Sequence, residues 1–103
     1  MLSDKQLRRW YREYNQKWFS GELPEDTDVL YAPIEGTHGD ALGHADQSVI
    51  RINPACAIDS RIIRMTLLHE MVHVALWPYN THGARFEAEM LRLAAAGAFK
   101  GLW

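Results

Sequence analysis

Three observations predict an α+β fold for this chain of 103 residues. An apolar stripe at helical spacing runs from Leu7 to Trp18. Short β-prone segments lie between Val29 and Asn53, and an almost wholly apolar helical segment ends at Pro78. The expected order is an N-terminal helix, a small three-stranded sheet, a central helix and a C-terminal helix. The length suits one domain, spanning 1–103, because two independent cores do not fit in it.

The first helix follows from its cap and its stripe. Ser3 and Gln6 have the spacing of a capping box. Leu7, Trp10, Tyr11, Tyr14 and Trp18 fall on one face, with Arg8, Arg9, Arg12, Glu13 and Lys17 on the others. Ser20-Gly21 supplies a stop, and Pro24 follows. Val29 to Ala32 is β-prone and Pro33 ends it. Glu35 to Asp40 holds two glycines and reads as a loop. Ala41 to Asp46 is a second strand, interrupted by Gly43, and Ser48 to Asn53 a third, in which Ile50 and Ile52 alternate with polar residues. Asp46-Gln47 would turn a tight hairpin between them, and Pro54 stops the last strand.

Asp59 or Ser60 can cap the central helix, with Ile58 and Ile63 at staple positions if Asp59 is the cap. The helix extends to Leu76 or Trp77, where Pro78 forbids continuation. Ile62, Ile63, Met65, Leu67, Leu68, Met71, Val72, Val74, Ala75 and Leu76 make it apolar on most sides, so it is expected at the centre of the domain. After the turn Tyr79-Asn80-Thr81, a third helix is expected from Gly83 to Ala96, with Phe86, Met90, Leu93 and Ala94 inward and Gly97 at its end.

Composition narrows the function classes. Apolar residues make up 48% and charged residues 23%, the balance of a soluble globular domain. A formal net charge of −2 argues against a protein that coats nucleic acid. The one cysteine, Cys56, excludes an internal disulfide and a zinc ribbon and reads as a small buried apolar group. The N-terminus lacks the apolar core of a signal peptide, and no run approaches the ~18 apolar residues of a membrane span. A cytoplasmic location without membrane partners is the expectation.

The chemistry resides on the central helix, in His69-Glu70-Met71-Val72-His73. Histidines at i and i+4 lie one turn apart on one face, where their ring nitrogens can converge on one ion at about 2.0–2.1 Å. Glu70 stands roughly 100° round the helix, able to reach a zinc-activated water without being a ligand. Zinc lowers the pKa of that water to around 7, and the glutamate takes its proton as a carbonyl is attacked. With five His and seven Glu in the chain, chance produces about 0.02 such matches, so the motif is specific. Two satisfied core histidines are the bland alternative, but ionisable groups on so apolar a helix need partners, and a metal is one. Catalytic zinc takes three protein ligands. His82, just beyond the Pro78 break, is the favoured third, with Glu87 and Glu89 as alternatives. His38 reads as a solvated loop residue and His44 as a weaker candidate to line the cleft.

At these residues the chain resembles the SprT-like metallopeptidase domain, whose eukaryotic relative Spartan is a DNA–protein-crosslink protease. The likeness spans Leu7 to Met90. Asn15, Phe19, Gly21, Leu23 and Pro24 are similar to the family's opening N…F-x-G-x-L-P. Gly43-His44-Ala45-Asp46 and Ile50-Arg51-Ile52-Asn53-Pro54 resemble its strand pair. His69 to Trp77 resembles its active helix, and His82-Gly83-Ala84-Arg85-Phe86 its H-G-x-x-F element, whose histidine is the third zinc ligand. The resemblance implies a minimal zincin-like domain with one catalytic Zn²⁺ and a protein substrate, DNA-associated proteins being one class. Many members carry a C-terminal zinc ribbon or DNA-binding extensions, and these 103 residues contain neither.

Neighbouring readings fit less well. A metzincin needs Gly where Leu76 stands and His where Tyr79 stands. The zinc-dependent ribosomal RNA processing proteins use three histidines without the glutamate. Two other function classes stay open: a zinc-stabilised protein-binding module without turnover, and a zinc nuclease. Tyr79 and Arg85 lie near the ligands in sequence, but neither is singled out as the oxyanion-stabilising residue.

Overall fold

The computed structural model describes residues 3–32, 49–54, 59–78 and 82–102, and the backbone of 43–45. Within them are helices α1 (Asp4–Trp18), α2 (Ser60–Ala75) and α3 (Ala84–Ala96) and strands β1 (Asp28–Tyr31), β2 (Gly43–Ala45) and β3 (Val49–Ile52). The expected loop at 35–40, the turn at Asp46-Gln47, Ile58, Cys56 and Tyr79 lie outside the described residues.

The strand order is β1-β3-β2. β1 runs parallel to β3, with Val29 opposite Ile50 and Tyr31 opposite Ile52. β2 runs antiparallel to β3, with His44 opposite Arg51. Alternation along β3 does what the sequence indicates: Ile50 and Ile52 are fully buried and Arg51 is exposed. β1 contributes Val29 to the same core face.

α1 begins as expected, the Ser3 hydroxyl accepting a hydrogen bond from the Gln6 amide at 3.2 Å. Its stripe buries Leu7 and Tyr11 fully and packs Trp10, Tyr14 and Trp18 at the margin of the core. Asn15, the first residue of the N…F-x-G-x-L-P resemblance, is buried and organises the turn after α1. Its side-chain amide donates to the Leu23 carbonyl and its side-chain oxygen accepts from the Leu23 amide, both at 3.0 Å. Its carbonyl accepts from the amides of Phe19 and Gly21. Gly21 adopts a φ of 72°, a left-handed conformation suited to glycine. The Tyr11 hydroxyl donates to the Pro24 carbonyl at 2.6 Å. The N…F-x-G-x-L-P segment is thus a clasp that folds the chain back from α1 toward β1.

Asp59 caps α2, accepting from the Arg61 amide at 2.8 Å. The helix fills the middle of the domain, burying Ile63, Leu67, Leu68, Met71, Val72 and Val74 against the sheet and the flanking helices. It is less uniformly enclosed than its composition indicates, since Ile62 is exposed. α3 buries Phe86 and Leu93 and ends at Gly97 in a left-handed conformation. Beyond it Ala98, Phe99 and Leu102 fold back into the core, an addition the sequence reading left unassigned. Among the described residues no helix is long and apolar enough to cross a membrane.

Candidate metal centre

α2 carries His69 and His73 one turn apart, and the chain returns after Pro78 to bring His82 opposite them at the approach to α3. The His82 Nε2 lies 3.1 Å from His73 Nε2 and 3.3 Å from His69 Nε2. Among the described residues, these three are the His, Cys, Asp or Glu side chains that converge as a possible metal-holding group, their ligand atoms all within 4.8 Å of one another. Nitrogens held about 2.0–2.1 Å from one tetrahedral ion stand about 3.3–3.4 Å apart. The two short separations match that spacing, so the donor set fits a metal ion. Three imidazole nitrogens facing one another cannot all be satisfied by mutual hydrogen bonds, whereas a shared cation satisfies all three at once.

The environment favours a neutral, ligating imidazole at His69. His73 is buried, His69 is partly buried and His82 is exposed. Burial, and then the neighbouring His82, hold the His69 pKa below its ordinary value. A lowered pKa keeps the ring deprotonated, as a ligand must be.

Glu70 is only 5% exposed. Burial pushes its carboxyl up from 4.5 to about 7. Adjacent to His69 on α2, it does not belong to the converging group of potential ligands. The two alternative third ligands lie elsewhere. Glu89 pairs with Arg92, whose guanidinium also donates to the Trp18 carbonyl at 2.9 Å, and Glu87 is exposed on the first turn of α3. His44 lies on β2, with its side chain outside the described residues, as is the whole of His38. Arg85 is exposed at the start of α3.

From sequence alone Phe86 has no part in the metal centre beyond its places on the inward stripe of α3 and in the H-G-x-x-F element. Its ring centroid lies 4.8 Å from each of the three imidazoles. The signal was its place in the H-G-x-x-F element, one helical turn beyond His82.

A buried helix bearing two histidines and a glutamate, with a third histidine returned from the next segment, defines a metallopeptidase-like domain. Residues 7–101 match the family model described as the SprT-like family, and the chain belongs to that family. No curated protein and no solved structure matches the chain significantly.

Proposed function

We propose that this chain is a zinc-dependent metallopeptidase in which His69, His73 and His82 hold the metal and Glu70 is the general base. The convergence of the three Nε2 atoms carries the reading. Zinc bound there would act as a Lewis acid, polarising the scissile carbonyl and lowering the pKa of the attacking water. Glu70 takes the proton of that water at its carboxylate and returns it to the leaving amine. Burial holds this carboxyl near 7 in the metal-free protein, and a bound cation would favour its carboxylate, the form that takes the proton.

The sheet suggests how substrate is held. β2 lies at one edge of the strand order, and α2 packs against β2 and β3. An extended peptide adding to that edge would run past the histidine-bearing helix, its backbone held by strand hydrogen bonds and its sequence read only loosely. This supports a protein substrate in an extended or unfolded state. DNA-associated proteins in the cytoplasm are the substrate class this proposal includes, on the strength of family membership.

The deciding experiment compares wild type with Glu70→Gln on an unfolded protein, with and without DNA. The variant should keep its zinc and fold and lose hydrolysis by about 10²–10⁴-fold, the usual contribution of a general base. Equal cleavage by both proteins would assign the activity to a contaminant. Loss of zinc from the variant would make Glu70 a structural residue. Zinc binding without turnover on any substrate would favour the binding-module reading, and metal-dependent cleavage of DNA or RNA alone the nuclease reading.

A further inference from the structure

We propose that Phe86 is a positioning residue for the metal centre, holding all three imidazoles in ligating orientation through its ring. The inference deepens the metallopeptidase reading and rests on it. Each imidazole turns about two side-chain torsions, so three of them converge only if their neighbours restrict those torsions. His82 needs this most. It is exposed, and Gly83, which caps α3, offers no side-chain hydrogen bond to fix the turn that carries it.

Phe86 meets the three rings in different ways. It stacks on His73 with an interplanar angle of 28° and stands at 61° to His69 and 89° to His82. Stacked and edge-to-face arrangements at such separations are the favourable ones for aromatic pairs. Phe86 itself is 8% exposed and belongs to the first turn of α3, so the helix and the core fix its position. It touches histidines from two separate segments, α2 and the approach to α3, and so couples the docking of α3 to the geometry of the ligand set. A phenyl ring also has no hydrogen-bonding group, so it does not compete for the ligand nitrogens.

The test measures metal affinity apart from stability and activity. Zinc affinity of Phe86→Leu, read by competition with a chromophoric chelator, should fall by about 10–100-fold, the usual effect of disturbing the groups that orient metal ligands. The visible absorption of the Co²⁺-loaded variant should change as well. Phe86→Tyr, which keeps the ring, should retain affinity within about threefold of wild type. Leu93→Val is the control for general loosening of α3, since Leu93 is fully buried on the same helix. Its affinity should stay near wild type even where urea unfolding of the metal-free proteins shows matched destabilisation. Should Phe86→Leu fail to fold, Phe86→Met gives the same comparison.

Unchanged zinc affinity and an unchanged cobalt spectrum in Phe86→Leu would overturn the proposal. Equal losses in the Phe86 and Leu93 variants would overturn it too, by reducing Phe86 to a core residue. If the folded wild type binds no zinc, the metal-centre reading itself fails and the proposal with it. That result differs from a normal wild type beside an unaffected Phe86 variant, which removes only this inference.

Discussion

Glu70→Gln in the metal-free protein should separate the energetic cost of the carboxyl from its chemistry. The folded protein raises the Glu70 pKa from 4.5 to about 7 by burial. It therefore holds that proton more tightly than the unfolded chain does. Below pH 4.5 the carboxyl is neutral in both states and costs nothing. As the pH rises from 4.5 to about 7 the unfolded group ionises while the folded one resists, and stability falls. Each pKa unit corresponds to about 1.4 kcal/mol, so the loss levels off at roughly 3 kcal/mol above pH 7. Glutamine never ionises and escapes this loss. In urea unfolding followed by tryptophan fluorescence with a chelator present, the stability of Glu70→Gln relative to wild type should rise by roughly 3 kcal/mol between pH 4 and pH 8. The histidines are common to both proteins and largely cancel in the difference. Saturating zinc should flatten the dependence, because a nearby cation favours the carboxylate. A relative stability that does not change with pH in the chelated proteins would refute the reasoning.

Three further outcomes follow from the same structure. His82→Ala should lose most of its zinc by elemental analysis while His69 and His73 stay in place; full retention would return Glu87 or another residue to consideration as the third ligand. Removing zinc should lower the melting temperature by about 10–20 °C if the metal had been present at a hundredfold excess over its Kd, since that excess contributes ~2.7 kcal/mol; an unchanged curve with zinc verifiably removed would show a self-sufficient core. Asn15→Ala should destabilise the fold by about 2–4 kcal/mol in urea unfolding, because it orphans both the amide and the carbonyl of buried Leu23; a loss below about 1 kcal/mol would mean water replaces the clasp.

How much was legible depended on whether the signal was local. The limits of α2 could be read from Asp59 and Pro78, because a cap and a ring closure act within one turn. The Leu7 to Trp18 stripe and the Gly97 stop are likewise matters of periodicity and backbone freedom. The histidine triad was legible because its spacing is a chemical requirement and His82 follows Pro78 closely in sequence. What stayed hidden was non-local. The parallel alignment of β1 with β3 depends on the path between them and leaves no mark in either strand. The N…F-x-G-x-L-P resemblance marks Asn15, but what it does shows only when Leu23 is placed against it. Phe86 satisfies the apolar stripe of α3, so periodicity alone hides its contact with the imidazoles, and only its place in the H-G-x-x-F element hints at it. Ala98, Phe99 and Leu102 are too few and irregularly spaced to announce their return to the core.

α2 serves two purposes that pull in opposite directions. As the central helix of a small domain it should be apolar on every buried position, and Leu67, Leu68, Met71 and Val72 are fully enclosed. Glu70 and His73 lie among them, at 5% and 7% exposure. A carboxyl kept from ionising and an imidazole kept from water each lower the stability of the metal-free fold. A bound cation removes much of that penalty, because it offers a counter-charge to the carboxylate and one shared partner to the three converging ring nitrogens. The same burial that raises the Glu70 pKa when the site is empty keeps bulk water from the carboxylate that would take the proton once a cation is bound. Substitutions that relieve the strain, such as an apolar residue at position 70, should therefore yield a more stable metal-free protein and a less capable one. The conflict between local polarity and central burial is thus what distinguishes these residues from the rest of α2, in the sequence and in the fold alike.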